Sequence, residues 1–208
     1  MGSSAETLLD ATAIDRCVRR MASEVLEQAK GVQSLVLVGV RRGGIGLSRR
    51  LAREIESQEQ CVVPVGSVDI ALYRDDAATA LPSPKIGPSE IPFQVSGKQV
   101  LLVDDVLQTG RTVRAAIDCL LDHGRPARIL LAVLIDRRGR ELPIAADTVG
   151  RELDLPRGVR VEVRIDEDSV EPSAVLFRPR SVDPSSPLES PNPLSSVLAI
   201  QREGADDV

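Results

Sequence analysis

The chain has 208 residues, 42% of them hydrophobic, and a formal net charge of -5 at pH 7. That length supports one ordinary domain with a sizeable core and some chain to spare, and the acidic balance excludes a protein coated in basic surface, so any nucleic-acid role rests on a local patch. No run approaches the roughly 20 apolar residues of a membrane span, and the start MGSSAETLLD lacks the basic and apolar pattern of a secretory leader, so the expected setting is cytoplasmic, with no membrane partner.

In chain order, residues 11 to 30 carry Ile14, Val18, Met21, Val25 and Leu26 at helical spacing, and LVLVGV (35 to 40) is the short apolar run of a buried parallel strand. IGLSRRLAREIESQ (45 to 58) returns to helical period, and VVPVGSVDIALYR (62 to 74) alternates like a strand. Residues 75 to 96 hold Asp, Pro, Ser and Gly in place of periodic apolar residues and read as a long loop or an excursion hairpin. The strand VLLV (100 to 103), a helix over 112 to 124 closed by its Gly, and the strand RILLAVLID (128 to 136) follow. After 136 to 153, strands at 159 to 165 and 174 to 179 end the patterned part, and the Ser- and Pro-rich 181 to 208 reads as a disordered tail. Strands separated by helices predict an α/β domain with a mostly parallel central sheet. Cys17, Cys61 and Cys119 lack CxxC or Cys/His ligand spacing and read as reduced core residues.

In such sheets ligands bind outside the carboxyl ends of the strands, and VDDVLQTGRT (103 to 112) occupies such an end. A loop there has converging backbone N–H groups and the positive end of the next helix, which suits a phosphate. Gly110 admits a close approach, and the hydroxyls of Thr109 and Thr112 add donors. Asp104 and Asp105 repel a phosphate, so they require a guest with hydrogen-bond donors or positive charge; the vicinal hydroxyls of a ribose 5-phosphate meet that need. A DD pair by itself is more often a turn cap, but thirteen positions in the order four apolar residues, two acids, three residues and TGRT carry more information.

That pattern, VLLVDDVLQTGRT, resembles the phosphoribosyl pyrophosphate (PRPP) motif of type I phosphoribosyltransferases. The resemblance implies that Asp104 and Asp105 hold the ribose and that Val106, Leu107, Gln108, Thr109, Gly110, Arg111 and Thr112 form the PRPP-binding loop. Arg41, Arg42, Gly43 and Gly44, in the turn after LVLVGV, stand where type I enzymes keep a pyrophosphate loop, and two guanidiniums with two glycines suit a diphosphate.

VPVGSVDIALYRDD (63 to 76), 109 to 137 and RELPIAADTVG (140 to 150) narrow the resemblance to the PyrR family, bifunctional pyrimidine-operon attenuation regulators and uracil phosphoribosyltransferases, over about residues 8 to 179. The fold this implies is a type I phosphoribosyltransferase domain with a flexible loop at about 75 to 96 and a small hood at about 136 to 158. The implied reaction is uracil plus PRPP to UMP plus pyrophosphate, with Mg2+ bridging the diphosphate and the ribose hydroxyls. Arg74 at the loop's stem is an expected catalytic contact to the diphosphate. Asp136, Arg137 and Val163 are expected around the base, and a homodimer or higher homo-oligomer is expected.

The family's second activity adds leader RNA as a partner, with Arg16, Arg19, Arg20 and Arg140 as its basic face. Here the sequence departs from the family pattern. Ala145 stands where ELPIRAD has arginine, Asp15 replaces a basic residue, Ser23 replaces a histidine, and Gly43 stands where many members have arginine. Two alternatives stay open: a non-catalytic RNA-binding regulator, and a transferase for another base such as a purine or orotate. Intact acids weigh against the first, and a chain with only Tyr73, Phe93 and Phe177 as aromatic residues weighs against the second.

Overall fold

A computed structural model describes residues 6–29, 31–71, 73, 88–155, 159–165 and 174–179. Five strands form a parallel sheet in the order β3-β2-β4-β5-β6: β2 (Leu35–Val40), β3 (Val65–Val68), β4 (Gln99–Leu107), β5 (Arg128–Arg137) and β6 (Thr148–Leu153). All six residues of β2 are buried, as a strand covered on both faces requires. A second sheet, antiparallel in the order β1-β8-β7, joins β1 (Glu6–Leu9), β7 (Val159–Arg164) and β8 (Ala174–Pro179).

Helix α1 (Ala11–Ala29) starts at Asp10, whose Oδ1 accepts the Ala13 N–H at 2.8 Å. It buries Ile14, Val18, Met21, Ala22, Val25 and Ala29 at the spacing of one helical face. Helix α2 (Gly43–Glu59) ends at Gln60 in the left-handed region (φ 53°), whose N–H closes on the Glu56 carbonyl at 2.8 Å. Together with the antiparallel sheet, these helices enclose one hydrophobic core on one face of the parallel sheet. Helix α3 (Arg111–Leu121) and the extended segment through Ile91, Phe93 and Val95 cover a second core on the other face.

Several boundaries differ from the sequence reading. Strand β3 spans four residues of the expected thirteen; beyond Val68 the chain turns, with the Tyr73 N–H on the Ile70 carbonyl at 2.9 Å. Within the expected loop at 75 to 96, residues 74–87 lie outside the described residues, whereas Glu90 exchanges backbone hydrogen bonds of 2.7 and 2.8 Å with Ser67 and Val95 is buried. Alternation of Ile91, Phe93 and Val95 against the sheet explains why this part is tied down. Strands β1 and β6 are additions, and β6 extends the parallel sheet from a stretch read as hood. The antiparallel sheet instead reaches the carboxyl edge of the parallel one: Arg137 at the end of β5 donates to the Val159 carbonyl at 2.7 Å, and a Cβ on Gly46 in α2 would lie 1.9 Å from the Ile165 carbonyl oxygen. Cys119 is buried, but Cys61 is exposed just past α2; all three cysteines are free. The stretch 181 to 208 lies outside the described residues.

Candidate active site

Strand β4 continues through the two acids to Leu107, so Asp104 and Asp105 belong to the strand rather than to the loop expected after Val103. The register with β5 stays unbroken across them, with Asp104 opposite Val133 and Val106 opposite Ile135, while Val103 and the partly buried Val106 both join the core beneath α1 and α2. The acids also hydrogen-bond locally, with the Asp105 N–H on Asp104 Oδ1 at 3.0 Å and the Val106 N–H on Asp105 Oδ1 at 2.8 Å. Asp104 is 4% exposed. Burial, then the adjacent Asp105 charge, raises its carboxyl well above the usual carboxylate range. Burial likewise raises Asp105. A buried, adjacent pair of acids is costly to ionise without a donor-rich or cationic guest, so it is a binding feature more than a stabilising one.

The turn from β2 into α2 lies directly opposite. A Cβ on Gly43 would fall 2.0 Å from Asp105 Oδ2, and one on Gly44 would fall 2.1 Å from the Val103 carbonyl oxygen. Two glycines therefore let the positive end of α2 press against the end of β4. The Arg41–Arg42 peptide bond is cis. Arg41 is held by its N–H to the Val68 carbonyl at 2.9 Å, by Nε to Ser67 Oγ at 3.4 Å and by an ion pair with Glu90 at 3.2 Å. Arg42 is exposed at the start of α2. A cleft of about 440 Å3 opens beside Arg41, Ser67 and Glu90.

On the other side of the acids, residues 108–110 link β4 to α3. Gly110 (φ 89°) sits in the left-handed region at the start of α3, a conformation glycine adopts without penalty. The loop is backed by 137–144. The N–H groups of Glu141 and Leu142 both donate to the Thr109 carbonyl at 3.0 Å, Arg111 pairs with Glu141 at 2.6 Å, and a Cβ on Gly110 would meet Leu142 and Ile144 at 3.3 and 3.4 Å.

The structure brings Asp104, Asp105, Gly43, Gly44 and the 108–112 loop to one edge of the sheet. Arg74 lies outside the described residues. Asp136 ends up near the 108–112 loop through Arg140, its Oδ2 accepting from that guanidinium at 2.5 Å. Arg137 is buried, with Nε lacking a partner and burial lowering its pKa from the usual arginine value. Val163 is partly buried against the first core. Among the arginines assigned to RNA, Arg16 and Arg19 are exposed on α1. Arg20 instead donates to the Val149 and Gly150 carbonyls at 2.9 and 2.6 Å and pairs with Glu24, which ties α1 to β6. Arg140 faces inward onto the 108–112 loop and the Ile144 carbonyl. Asp15 pairs with Arg50. The sequence reading missed Ser67, Glu90 and Glu141; no spacing marks them, because their partners are distant in sequence.

The chain matches the family model "Phosphoribosyl transferase domain" over residues 4–166. It is 52% identical over 160 residues to the bifunctional protein PyrR of Roseiflexus sp. strain RS-1, covering 77% of this chain and 87% of that protein. It is 51% identical over 170 residues to the bifunctional protein PyrR of Pelotomaculum thermopropionicum, covering 82% and 94%. A crystal structure of a hypoxanthine-guanine phosphoribosyltransferase from Bacillus anthracis superposes with a TM-score of 0.61 at 18% identity over 86% of this chain and 99% of that one, which shows a shared fold. The chain belongs to the phosphoribosyltransferase domain family and, within it, to the PyrR family of bifunctional proteins.

Proposed function

We propose that the protein transfers the phosphoribosyl group of PRPP to uracil, giving UMP and pyrophosphate. The observation that carries this reading is the edge-on arrangement of Asp104 and Asp105 between two helix N-termini, α2 behind Gly43 and α3 behind Gly110. PRPP has the matching order of charges: a 5′-phosphate for the 108–112 loop, ring hydroxyls for the acids and a diphosphate for the 41–44 turn. Displacement at the anomeric carbon builds oxocarbenium character, as in glycosidic cleavage, and the two acids supply negative charge beside it. Uracil as acceptor rests on membership of the PyrR family, and an assembly of at least two copies is part of the same proposal.

Among the described residues no cluster of three or more ligating side chains could hold a metal by itself. Mg2+ commonly enters such sites with one or two carboxylates and the substrate's own oxygens. The adjacent carboxylates of Asp104 and Asp105 fit that mode and would hold the ion together with PRPP. When bound, Mg2+ would offset the charge of the departing pyrophosphate. No helix among the described residues is long and apolar enough to cross a membrane.

Uracil, hypoxanthine, guanine and orotate offered separately with PRPP and Mg2+ test the assignment. UMP formation with the other bases inert is the expected result. Turnover of a purine or orotate in preference to uracil would replace the acceptor, and no turnover with any base would point to a purely regulatory protein.

A further inference from the structure

We propose that Arg140 is a positioning residue that holds the 108–112 loop in its phosphate-accepting shape and ties that loop to Asp136. The proposal rests on the transferase reading in one respect, that the loop's guest is the 5′-phosphate of PRPP. Its guanidinium reaches five oxygens: Nε donates to the Ile144 carbonyl at 2.9 Å, one terminal nitrogen faces the carbonyls of Leu107, Gln108 and Arg137 at 3.5, 2.9 and 3.2 Å, and the other donates to Asp136 Oδ2 at 2.5 Å. Side-chain exposures of 27% for Arg140 and 17% for Asp136 place the pair out of bulk water, where a charge-assisted bond is stronger than at the surface.

The consequence follows from peptide geometry. In a planar trans peptide the carbonyl and the following N–H point in opposite directions. Arg140 draws the Leu107 and Gln108 carbonyls outward, and the N–H groups of Glu141 and Leu142 do the same for the Thr109 carbonyl. The N–H groups of Gln108, Thr109 and Gly110 are thereby turned the other way. Three successive donors facing one side, ahead of the α3 N-terminus, make an anion cradle. Arg140 thus fixes, from outside, the first two of these donors, those of Gln108 and Thr109, which would otherwise rotate with each peptide plane. A lysine cannot replace it, because one ammonium cannot span a carboxylate and carbonyls on both sides of a planar fork.

The test measures PRPP affinity by calorimetry with Mg2+ present, alongside uracil turnover, in the full-length protein and its Arg140→Gln and Arg140→Lys variants. Arg140→Gln is expected to weaken PRPP binding by about tenfold or more. Its KM for PRPP should rise in step while kcat at saturating PRPP stays within about threefold, because the loop holds a part of the substrate remote from the reacting carbon. Arg140→Lys should fail to restore affinity, and should the glutamine variant not fold, the lysine variant decides on the same readout. Unchanged PRPP affinity in either folded variant overturns the proposal. Weakened binding beside a wild-type protein that ignores uracil supports the positioning role and overturns the uracil reading alone, and a wild-type protein that does not bind PRPP overturns both.

Discussion

The carboxylate of Asp105 fills the space that any side chain at position 43 would need, with a Cβ on Gly43 falling 2.0 Å from Oδ2 and 2.2 Å from Cγ. The glycine at the start of α2 is therefore matched to the seating of an acid in strand β4. Because the obstacle is a short side chain rather than backbone, a substitution displaces Asp105 before it moves the fold. Gly43→Ala is expected to lower uracil turnover by about tenfold with a change in melting temperature of only a few degrees. Steady-state kinetics beside a thermal melt check this, and full activity in the alanine variant would show that the position of Asp105 does not matter.

Replacing either acid tests the chemistry directly. Asp104→Asn and Asp105→Asn are each expected to reduce kcat/KM with uracil by about 1 to 3 kcal/mol of transition-state stabilisation, the scale of one charge-assisted hydrogen bond. Near-normal turnover in both variants would remove the acids from the mechanism.

Asp104 also makes a pH prediction whose sign runs against the usual paired carboxylate. Burial and the neighbouring Asp105 charge raise its folded-state pKa, whereas the unfolded chain ionises it near 4. Below that pH both states are protonated and burial of the neutral acid costs little. As pH rises from about 4 toward the raised folded value, the unfolded state gives up its proton first and stability falls. Asp104→Asn should therefore stabilise the ligand-free, metal-free protein near neutral pH, with the advantage shrinking as pH drops toward 4. Urea denaturation across that range measures it, and an equal effect at both ends would mean that folding does not raise the pKa of this carboxyl.

The parts of the fold legible in the sequence are those built from local signals. Strand β2 was bounded to the residue by its apolar run, and the α3 helix was found by its period, although it ends at Leu121, three residues short of the Gly124 expected to close it. Strands β1 and β6 were missed because their definition comes from partners: β1 pairs only with β8, more than 160 residues away, and β6 alternates poorly, with Arg151 and Glu152 exposed at the sheet edge. Of the site, the acids and the glycine loops carry a fixed spacing and could be read directly. Arg140 could be seen as a cation but not oriented; its role is set by carbonyls of Leu107 and Gln108, and a carbonyl leaves no trace in residue type.

Tyr73 is the only tyrosine in a chain without tryptophan, which makes its ionisation easy to follow. Its hydroxyl donates to Asp122 Oδ2 at 2.5 Å just beyond α3, and that bond is the main reason its pKa rises to about 12. Arg114 of α3 also donates to the Tyr73 carbonyl at 3.1 Å. Asp122→Asn should bring the absorbance change of phenolate formation near 295 nm down toward a midpoint of about 10. A midpoint that does not move would mean that the hydroxyl is not held by Asp122 in solution.

RNA binding is where family membership and this chain's surface pull apart. A protein with net negative charge must bind RNA through a local group of cations, each phosphate contact adding affinity and salt dependence. Of the four arginines on the expected face, Arg20 is engaged with β6 carbonyls and Arg140 with the 108–112 loop, while Asp15 holds Arg50 beside the remaining Arg16 and Arg19. The expected outcome is weak or absent binding of a pyrimidine-operon leader RNA at physiological salt, with transferase activity intact. Filter binding over a salt series, with and without UMP, checks this; nanomolar affinity strengthened by UMP would overturn it. In that event Arg16→Glu and Arg19→Glu together should abolish binding and spare uracil turnover, since both are exposed on α1 and neither belongs to the acids or the two glycine loops. Arg140→Gln would then mark whether the two activities are linked: loss of RNA binding together with PRPP affinity would make the inward clasp a shared element, whereas loss of PRPP affinity alone would confine it to the phosphate loop.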